Sequence, residues 1–189
     1  MKFEEDIENC LLTLKSGGLI LYPTDTIWGI GCDATNAQAV DKIFKLKRRP
    51  ERKSMVVLVG SERDVLRHAA HVHPAVFDYL QTVTKPTTVI YEGALGLADN
   101  LVAEDGSIAM RIVTDEFCRH LVRRFRKPVV STSANISGES AAQLFSRISP
   151  EILNGVDYIV SHRRNETVPA SASAIVRYNS TGKLTVLRS

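Results

Sequence analysis

The chain has 189 residues, 44% of them hydrophobic, and a formal net charge of +3, a composition typical of one folded domain over residues 1–189. Because the net charge is small, overall charge alone does not indicate a polyanionic partner. Its three cysteines form no CxxC pair, which argues against a disulfide framework or a zinc site. With no signal-peptide pattern and no long apolar run, we expect a cytoplasmic protein without membrane contact.

Helical and strand patterns interleave along the chain. The predicted elements are, in order, a helix over 3–16, a strand over 19–24, a helix over 36–47, a strand over 54–60, helices beginning near 61 and 74, strands over 87–93 and 107–113, a helix capped by Thr114, a strand over 128–130, a short turn or helix at 149–150, and strands over 157–161, 173–178 and 183–188. The interleaving predicts an α/β fold, and the clustered C-terminal strands predict a mixed rather than a purely parallel sheet.

The common catalytic motifs are missing from the sequence. It contains no GxxxxGK[ST], GxGxxG, GxSxG or HExxH, so a standard phosphate loop, esterase or zinc protease is not supported. His68, His71 and His73 form a loose cluster, but no cysteine or carboxylate stands at ligand spacing. We therefore interpret these histidines as surface residues and predict no metal site.

The stretch YPTDTIWGIGCDA, residues 22–34, is the first candidate for a binding segment. A predicted strand ends at Pro23, and small polar residues and two glycines follow. Gly29 and Gly31 would permit tight turns and a close approach of the backbone to a ligand. A plain strand, loop and strand without ligand is the alternative.

The stretch KLKRRP, residues 45–50, is the second candidate. Lys47 and Arg49 are two positions apart and would not share a face of a continuous helix. If Pro50 ends the helix, both side chains can turn into one cleft. An arginine fork and a lysine point charge suit phosphate or carboxylate. The alternative is a solvated, basic helix end.

The stretch KPVVSTSANISG, residues 127–138, is the third candidate. A buried strand changes abruptly into serines, a threonine and an asparagine. These side chains offer hydrogen bonds without charge, and α/β proteins place ligands beyond strand ends. The alternative is a capped turn, because Ser and Asn favour such positions.

These three stretches, with AMRIV at 109–113, together resemble the YrdC-like family over essentially the whole chain. The joint presence of Lys47-x-Arg49 and Ser133-x-Asn135 is the specific part of the resemblance. The family is best known for making L-threonylcarbamoyladenylate. The resemblance implies a twisted α/β fold with a large, positively lined groove. It also implies ATP with Mg²⁺, L-threonine and bicarbonate as substrates, and a product passed to the machinery that modifies tRNA.

The resemblance also assigns roles to individual residues. Lys47 and Arg49 correspond to the catalytic pair that contacts phosphates and substrate. The other implied contacts are to ATP for Ser133, Asn135 and Arg188, and to threonine and bicarbonate for Thr24, Arg111, Thr132 and Ser173.

The sequence departs from the family pattern in two places. Residues 84–88 keep only the second proline and the threonine of a Pro-Gly-Pro-x-Thr stretch, and residues 172–177 keep the serine but not its usual neighbours. Two other functions remain open at this point. One is a double-stranded RNA-binding relative without synthase activity, and the other is a carbamoyl-transferring adenylation module.

Overall fold

The computed structural model describes residues 3–49 and 55–189, which form six α-helices and ten strands. The helices are α1 (Glu4–Lys15), α2 (Ala37–Leu46), α3 (Glu62–His68), α4 (Ala75–Thr82), α5 (Glu116–Phe125) and α6 (Pro150–Asn154). The strands are β1 (Ile20–Tyr22), β2 (Gly29–Gly31), β3 (Val56–Val59), β4 (Ala69–His71), β5 (Thr87–Ala94), β6 (Ile108–Ile112), β7 (Val129–Ser133), β8 (Tyr158–Ile159), β9 (Ala174–Tyr178) and β10 (Leu184–Arg188).

Nine of these strands follow one another across a single sheet in the order β10-β9-β5-β6-β3-β7-β2-β1-β8. Strand β4 pairs with the C-terminal half of β5, beyond the part of β5 that pairs with β9. Three neighbouring pairs are parallel, namely β1 with β8, β3 with β6 and β5 with β9. The predicted mixed α/β sheet is therefore confirmed.

The C-terminal strands separate in space, although they follow one another in sequence. Strands β9 and β10 form a hairpin at one edge of the sheet, whereas β8 lies beside β1 at the opposite edge. The segment between β8 and β9 must therefore pass from one edge of the sheet to the other. Its last residues, Ala172 and Ser173, lie near the ends of β7 and β2, where they border the site described below.

Helices α1 and α5 pack together through the apolar faces that their sequences predict. On α5, the buried residues Phe117, Leu121 and Phe125 are spaced by four, which places them on one side of the helix. The ring of Phe3 meets that of Phe117 edge-on, with centroids 5.4 Å apart. Full burial of each such apolar side chain contributes about 1.5–3 kcal/mol.

The start of α5 differs from the prediction by one residue. Asp115, not Thr114, is the N-cap, because its carboxylate accepts a hydrogen bond from the Cys118 amide at 2.9 Å. Asn36, Ser61 and Ser149, which stand at predicted helix starts, each accept a hydrogen bond from an amide in the first turn. Within the described residues, no helix combines the length and apolar character required to cross a bilayer.

Candidate functional site

The polar end of β7 opens onto a cavity of about 280 Å³ between neighbouring strands. Ser131 lies opposite Val56 of β3, and Ser133 lies opposite Gly29 of β2, so three strands bring their ends to this cavity. Its lining consists of Thr26, Ile27, Trp28, Gly29, Arg49, Met55, Val56, Arg111, Ser131, Thr132, Ser133, Ala141, Ala172, Ser173, Ile175 and Arg188.

Six of the nine site residues implied by the resemblance meet in this cavity. They are Arg49, Arg111, Thr132, Ser133, Ser173 and Arg188. Three arginines and no carboxylate therefore face the cavity among the described residues. Such a lining attracts anions, and its hydroxyls add hydrogen bonds without charge. Thr24, Lys47 and Asn135 lie close by but outside the lining.

Lys47 is buried, with only 1% of its surface exposed. Its ammonium donates to the carbonyl of Ser133 at 2.5 Å and to that of Asn135 at 2.6 Å. Burial and the neighbouring Arg49 lower the pKa of Lys47 to about 8, while the two carbonyl contacts favour the cation. In this structure Lys47 thus fixes the backbone that carries Ser133 and Asn135.

Helix α2 ends in a way that separates Lys47 from Arg49. Lys47 is the C-cap, and Arg48 follows in the left-handed conformation with φ of 50°. The Arg48 amide bonds to the carbonyl of Lys45 and the Arg49 amide to that of Phe44, which is a Schellman motif. This turn directs Lys47 inward while Arg49 reaches the cavity. Pro50, the predicted helix end, lies outside the described residues.

Asn135 stabilises the loop after β7 through its amide group. Its Nδ2 donates to the carbonyls of Ile136 and Glu139 at 2.9 and 2.8 Å, while its Oδ1 is buried without a hydrogen-bond partner. The two carbonyl acceptors fix the orientation of the amide. The side chain therefore acts on its own loop as a donor, and an ATP contact at Asn135 remains a prediction.

We expect Asn135→Asp to destabilise the protein more than Asn135→Ala. The aspartate would place a charged oxygen that cannot donate against the carbonyl oxygens of Ile136 and Glu139, so repulsion is added to the loss of the donor. Asn135→Ala loses the same donor without adding repulsion. Thermal unfolding of both variants measures the order. A milder effect of Asp than of Ala would mean that Asn135 acts through its oxygen, as a turn cap does.

Arg111 reaches the cavity from β6 as half of a buried ion pair. Its guanidinium lies 2.9 Å from the carboxylate of Asp25, and the two side chains are 5% and 7% exposed. It also donates to the Thr26 hydroxyl at 3.4 Å. Burial raises the pKa of Asp25, and the Arg111 charge opposes that rise. The distance marks a charge contact, but neither Asp25 oxygen has a hydrogen bond of good geometry.

Thr24 orders the loop that carries this aspartate. Its hydroxyl donates to the Ile27 carbonyl at 2.7 Å and accepts from the Thr26 amide at 3.0 Å. Thr24 faces an adjoining cavity of about 450 Å³, which shares Thr26 and Trp28 with the first. Because the Thr24 hydroxyl lies 2.9 Å from that of Thr26, Thr24 is close to the boundary between the two cavities.

Ser173 and Arg188 close the cavity from the other edge of the sheet. The Ser173 hydroxyl lies 2.9 Å from that of Thr88, and its carbonyl accepts from Arg188 at 3.0 Å. The Ala174 amide bonds to the carbonyl of Pro86. The two segments that depart from the family pattern, 84–88 and 172–177, are therefore neighbours at the start of β5 and β9.

Gly31 is required by packing rather than by a ligand. A Cβ on Gly31 would lie 2.7 Å from both the Val130 carbonyl and the Tyr22 ring, so no side chain fits. Gly29, in contrast, lines the cavity. A close approach to a ligand therefore stays a prediction for Gly29 alone, whereas Gly31 allows β2 to pack tightly between β1 and β7.

Sequence reasoning missed several residues of this site. Asp25, Thr26 and Trp28 lie within the YPTDTIWGIGCDA stretch, where the sequence singles out only Thr24, Gly29 and Gly31. An aspartate between two threonines after a buried strand was the available signal for a counter-ion to Arg111. Among the described residues, no group of three or more His, Cys, Asp or Glu side chains is placed to hold a metal ion.

The sequence matches the model of the Sua5/YciO/YrdC family, described as "Telomere recombination", over residues 12–189. Curated relatives carry the name threonylcarbamoyl-AMP synthase. The protein of Xanthomonas euvesicatoria pv. vesicatoria is 33% identical over 159 residues, covering 82% of this chain and 84% of its own. The protein of Saccharophagus degradans is 34% identical over 140 residues, 72% of each chain.

Solved structures share the fold at lower identity. Two P. abyssi Sua5 structures, of a H234A/Y235A variant and of a complex with L-threonine, give TM-scores of 0.88 and 0.82 at 20% identity. Both comparisons cover 98% of this chain. The chain spans only about half of the Sua5 chains, 56% of the variant and 54% of the complex. E. coli YciO gives 0.82 at 18% identity, covering 97% of this chain and 88% of its own. T. kodakarensis HypF also gives a TM-score of 0.82 at 19% identity, and the match covers 98% of this chain but 24% of HypF.

Proposed function

The chain belongs to the Sua5/YciO/YrdC family, and from this membership we propose that it is a threonylcarbamoyl-AMP synthase. The enzyme would convert L-threonine, bicarbonate and ATP into threonylcarbamoyl-AMP and pyrophosphate. Its identity of 33% to a protein of that name, across most of both chains, supports the activity. The observation in the structure that carries the proposal is the cavity where Arg49, Arg111 and Arg188 face the hydroxyls of Thr132 and Ser133.

The proposed reaction needs no nucleophile from the protein. The threonine amine attacks the carbon of bicarbonate, and loss of water gives a carbamate. A carbamate oxygen then forms a bond to the α-phosphorus of ATP, while the bond to the bridging oxygen breaks and pyrophosphate leaves. The protein has to bring several anions together and stabilise charge on phosphate oxygens, which positioning and fixed cations accomplish.

The residues of the cavity divide this work by their chemistry. We assign Arg49 and Arg188, which line the cavity, to the phosphates of ATP, because a guanidinium pairs well with phosphate oxygens. Thr132 and Ser133 offer neutral donors and acceptors beside them. Arg111, held by Asp25, is a fixed cation for the threonine carboxylate or for bicarbonate. We place Thr24 and Ser173 at the margins of the same substrate region.

Magnesium enters this scheme with ATP as part of the substrate. A triphosphate carries Mg²⁺ on its own oxygens, which lowers the repulsion that the approaching carbamate meets. No carboxylate lines the cavity among the described residues, so the phosphates supply the charged ligands of the ion. The protein contributes the arginines that compensate the remaining charge.

The fold alone would leave other functions open. HypF shares the fold, but at 19% identity, and the matched region is only 24% of its length. The higher identity to proteins named threonylcarbamoyl-AMP synthase favours the synthase over a carbamoyl-transferring module or an RNA-binding relative. Because the product is a reactive mixed anhydride, we propose that tRNA-modifying enzymes consume it soon after its release. Direct contact with tRNA or double-stranded RNA and a cytoplasmic location remain predictions.

We expect turnover to depend on L-threonine. Glycine lacks the side chain that the threonine region would hold, so it should give little product at equal concentration. Pyrophosphate release is measured with ATP, Mg²⁺ and bicarbonate, and with either amino acid. A reaction lacking bicarbonate corrects for simple hydrolysis of ATP. Equal rates with glycine and L-threonine would contradict the substrate assignment while leaving adenylate formation itself intact.

A further inference from the structure

A second cavity lies at the opposite end of the strands that form the candidate site. Strands β3 and β7 are antiparallel, with Val56 opposite Ser131 at the site and Leu58 opposite Val129 toward the other end. Beyond that other end, Val59 and Pro128 border a cavity of about 430 Å³. Since a strand rises about 3.3 Å per residue, the two cavities are separated by roughly the length of these strands.

Basic side chains dominate the lining of this second cavity. Arg67, Arg123, Arg126 and Lys127 contribute four cations, whereas Asp64 contributes the one carboxylate among the described lining residues. Arg123 also borders a smaller cavity whose lining is mixed in charge, with Glu116, Arg119 and His120, so the basic surface is concentrated at the C-terminal end of α5. This surface contains the RRFRK segment at 123–127, which the proposed synthase activity does not use.

Two of these arginines have no anionic partner in the described part of the chain. Asp64 already accepts hydrogen bonds from the Ser61 hydroxyl at 2.8 Å and from Arg67 at 3.4 Å. Lys127 pairs with Asp33 at 2.6 Å. No hydrogen bond or ion pair to a described residue engages the guanidinium of Arg123 or Arg126, and both residues are exposed. Their donors are therefore available to a ligand.

The backbone at Arg126 allows its side chain to be tested separately from its turn. Arg126 caps α5 in the left-handed conformation with φ of 59°, a position that glycine adopts without steric cost. Replacement by glycine therefore removes the guanidinium without straining the helix end.

We propose that this cavity binds closely spaced phosphate groups through Arg123 and Arg126, separately from the candidate catalytic cavity. The guanidinium fork suits phosphate oxygens, and several cations around one cavity suit more than one phosphate. The floor is formed by Val59, Gly60, Val122 and Pro128, and no Phe, Tyr or Trp is among the described lining residues. The cavity would therefore recognise its ligand through phosphate groups, either those of a free polyphosphate compound or those of an RNA backbone.

The test uses the full chain in an Arg49→Ala background, which removes one phosphate-binding cation from the catalytic cavity. Tripolyphosphate is titrated calorimetrically at low salt, and a short fluorescein-labelled RNA is titrated by anisotropy. The test variant adds Arg123→Gln and Arg126→Gly, and the matched control adds Lys15→Gln and Lys183→Gln, two exposed lysines elsewhere. Both double changes remove two positive charges.

We expect the test variant to lose about tenfold or more in affinity, as removal of two charge-assisted contacts implies, and the control to change little. For single-stranded RNA, the slope of log K against log salt should fall by about 1.4, at roughly 0.7 per lost phosphate contact. Loss with tripolyphosphate assigns the site to free polyphosphates, and loss with RNA alone assigns it to a backbone.

Folding is monitored in the same variants. Arg126→Gly relieves the left-handed backbone, so the melting temperature of that single variant should hold or rise while binding falls. Synthase activity of Arg123→Gln and Arg126→Gly in the parent chain should be unchanged, which separates this proposal from the proposed function. Binding of both probes that is equal in the test and control variants would overturn the proposal.

Discussion

Lys47→Met should unfold at a temperature roughly 6–12 °C below that of the parent chain and should lose most synthase activity. Methionine nearly matches the volume of lysine but leaves the carbonyls of Ser133 and Asn135 without their shared donor. The Ser133 carbonyl keeps the hydrogen bond from the Asn135 amide. The two lost hydrogen bonds come from a charged donor and are worth about 1.5–3 kcal/mol each, and a loss of about 3 kcal/mol lowers the melting temperature of a chain of this size by that amount. Thermal unfolding followed by circular dichroism, with the synthase assay, measures both effects.

Arg49→Ala is the matched comparison for Lys47→Met. Arg49 is half-buried and lines the cavity, so its loss should reduce activity strongly while the melting temperature changes by much less. The two residues stand two positions apart and form the Lys-x-Arg part of the resemblance given in the sequence analysis. If Lys47→Met instead keeps the stability of the parent and loses activity, Lys47 contacts the substrates directly, as the resemblance implies.

Arg111→Met should destabilise the protein by about 3–5 kcal/mol at neutral pH, because it leaves the buried carboxylate of Asp25 without its counter-charge. Activity should also fall, since the cavity loses a fixed cation. The double variant Asp25→Asn with Arg111→Met removes both charges and should recover much of the lost stability. Urea unfolding of the two single variants and the double variant gives the coupling between them.

The pH dependence of the same variants has a defined sign. Burial raises the pKa of Asp25 above its ordinary value of 3.8, so the folded protein keeps this proton at pH values where the unfolded chain has lost it. Stability from this group therefore falls as pH rises through the window above 3.8. Arg111→Met removes the charge that opposes this rise, so the pKa of Asp25 should rise further in the folded variant. Acidification should therefore restore part of the stability that the variant has lost.

In the Asp25→Asn variant this contribution to the pH dependence should vanish. The comparison is made as the difference in unfolding free energy from the parent at each pH, which cancels the titration of other groups. If Arg111→Met is as stable as the parent at neutral pH, water or another group must compensate Asp25, and the buried ion pair is not required for folding.

Local patterns in the sequence predicted the fold class and the position of the candidate site. Alternation of helical and strand segments predicted the mixed sheet, and polar residues after Val130 predicted a ligand site at the end of β7. The cavity brings six of the nine implied residues together. Three of these six, Arg111, Ser173 and Arg188, followed only from the resemblance to a family, because no local pattern distinguishes them from other arginines and serines.

The parts that sequence reasoning missed depend on contacts between distant segments. Lys47 belongs to a basic segment whose sequence is equally typical of a solvated helix end. Only the fold places its ammonium beside carbonyls more than 80 positions away in the sequence. The turn at Arg48 is equally hidden, because an arginine occupies a left-handed position where glycine is the usual signal. Strand β8 pairs with β1 rather than with its neighbours in sequence, which strand patterns alone do not encode.

The most direct measurement is identification of the product. The purified chain is incubated with ATP, Mg²⁺, ¹³C-labelled bicarbonate and L-threonine, and the mixture is separated and analysed by mass spectrometry, with Arg49→Ala treated alongside. We predict an adenylate with the mass of threonylcarbamoyl-AMP that carries the bicarbonate label, one equivalent of pyrophosphate, and a strong reduction of both in the variant. A folded parent chain that binds ATP yet forms no labelled adenylate would contradict the proposed function.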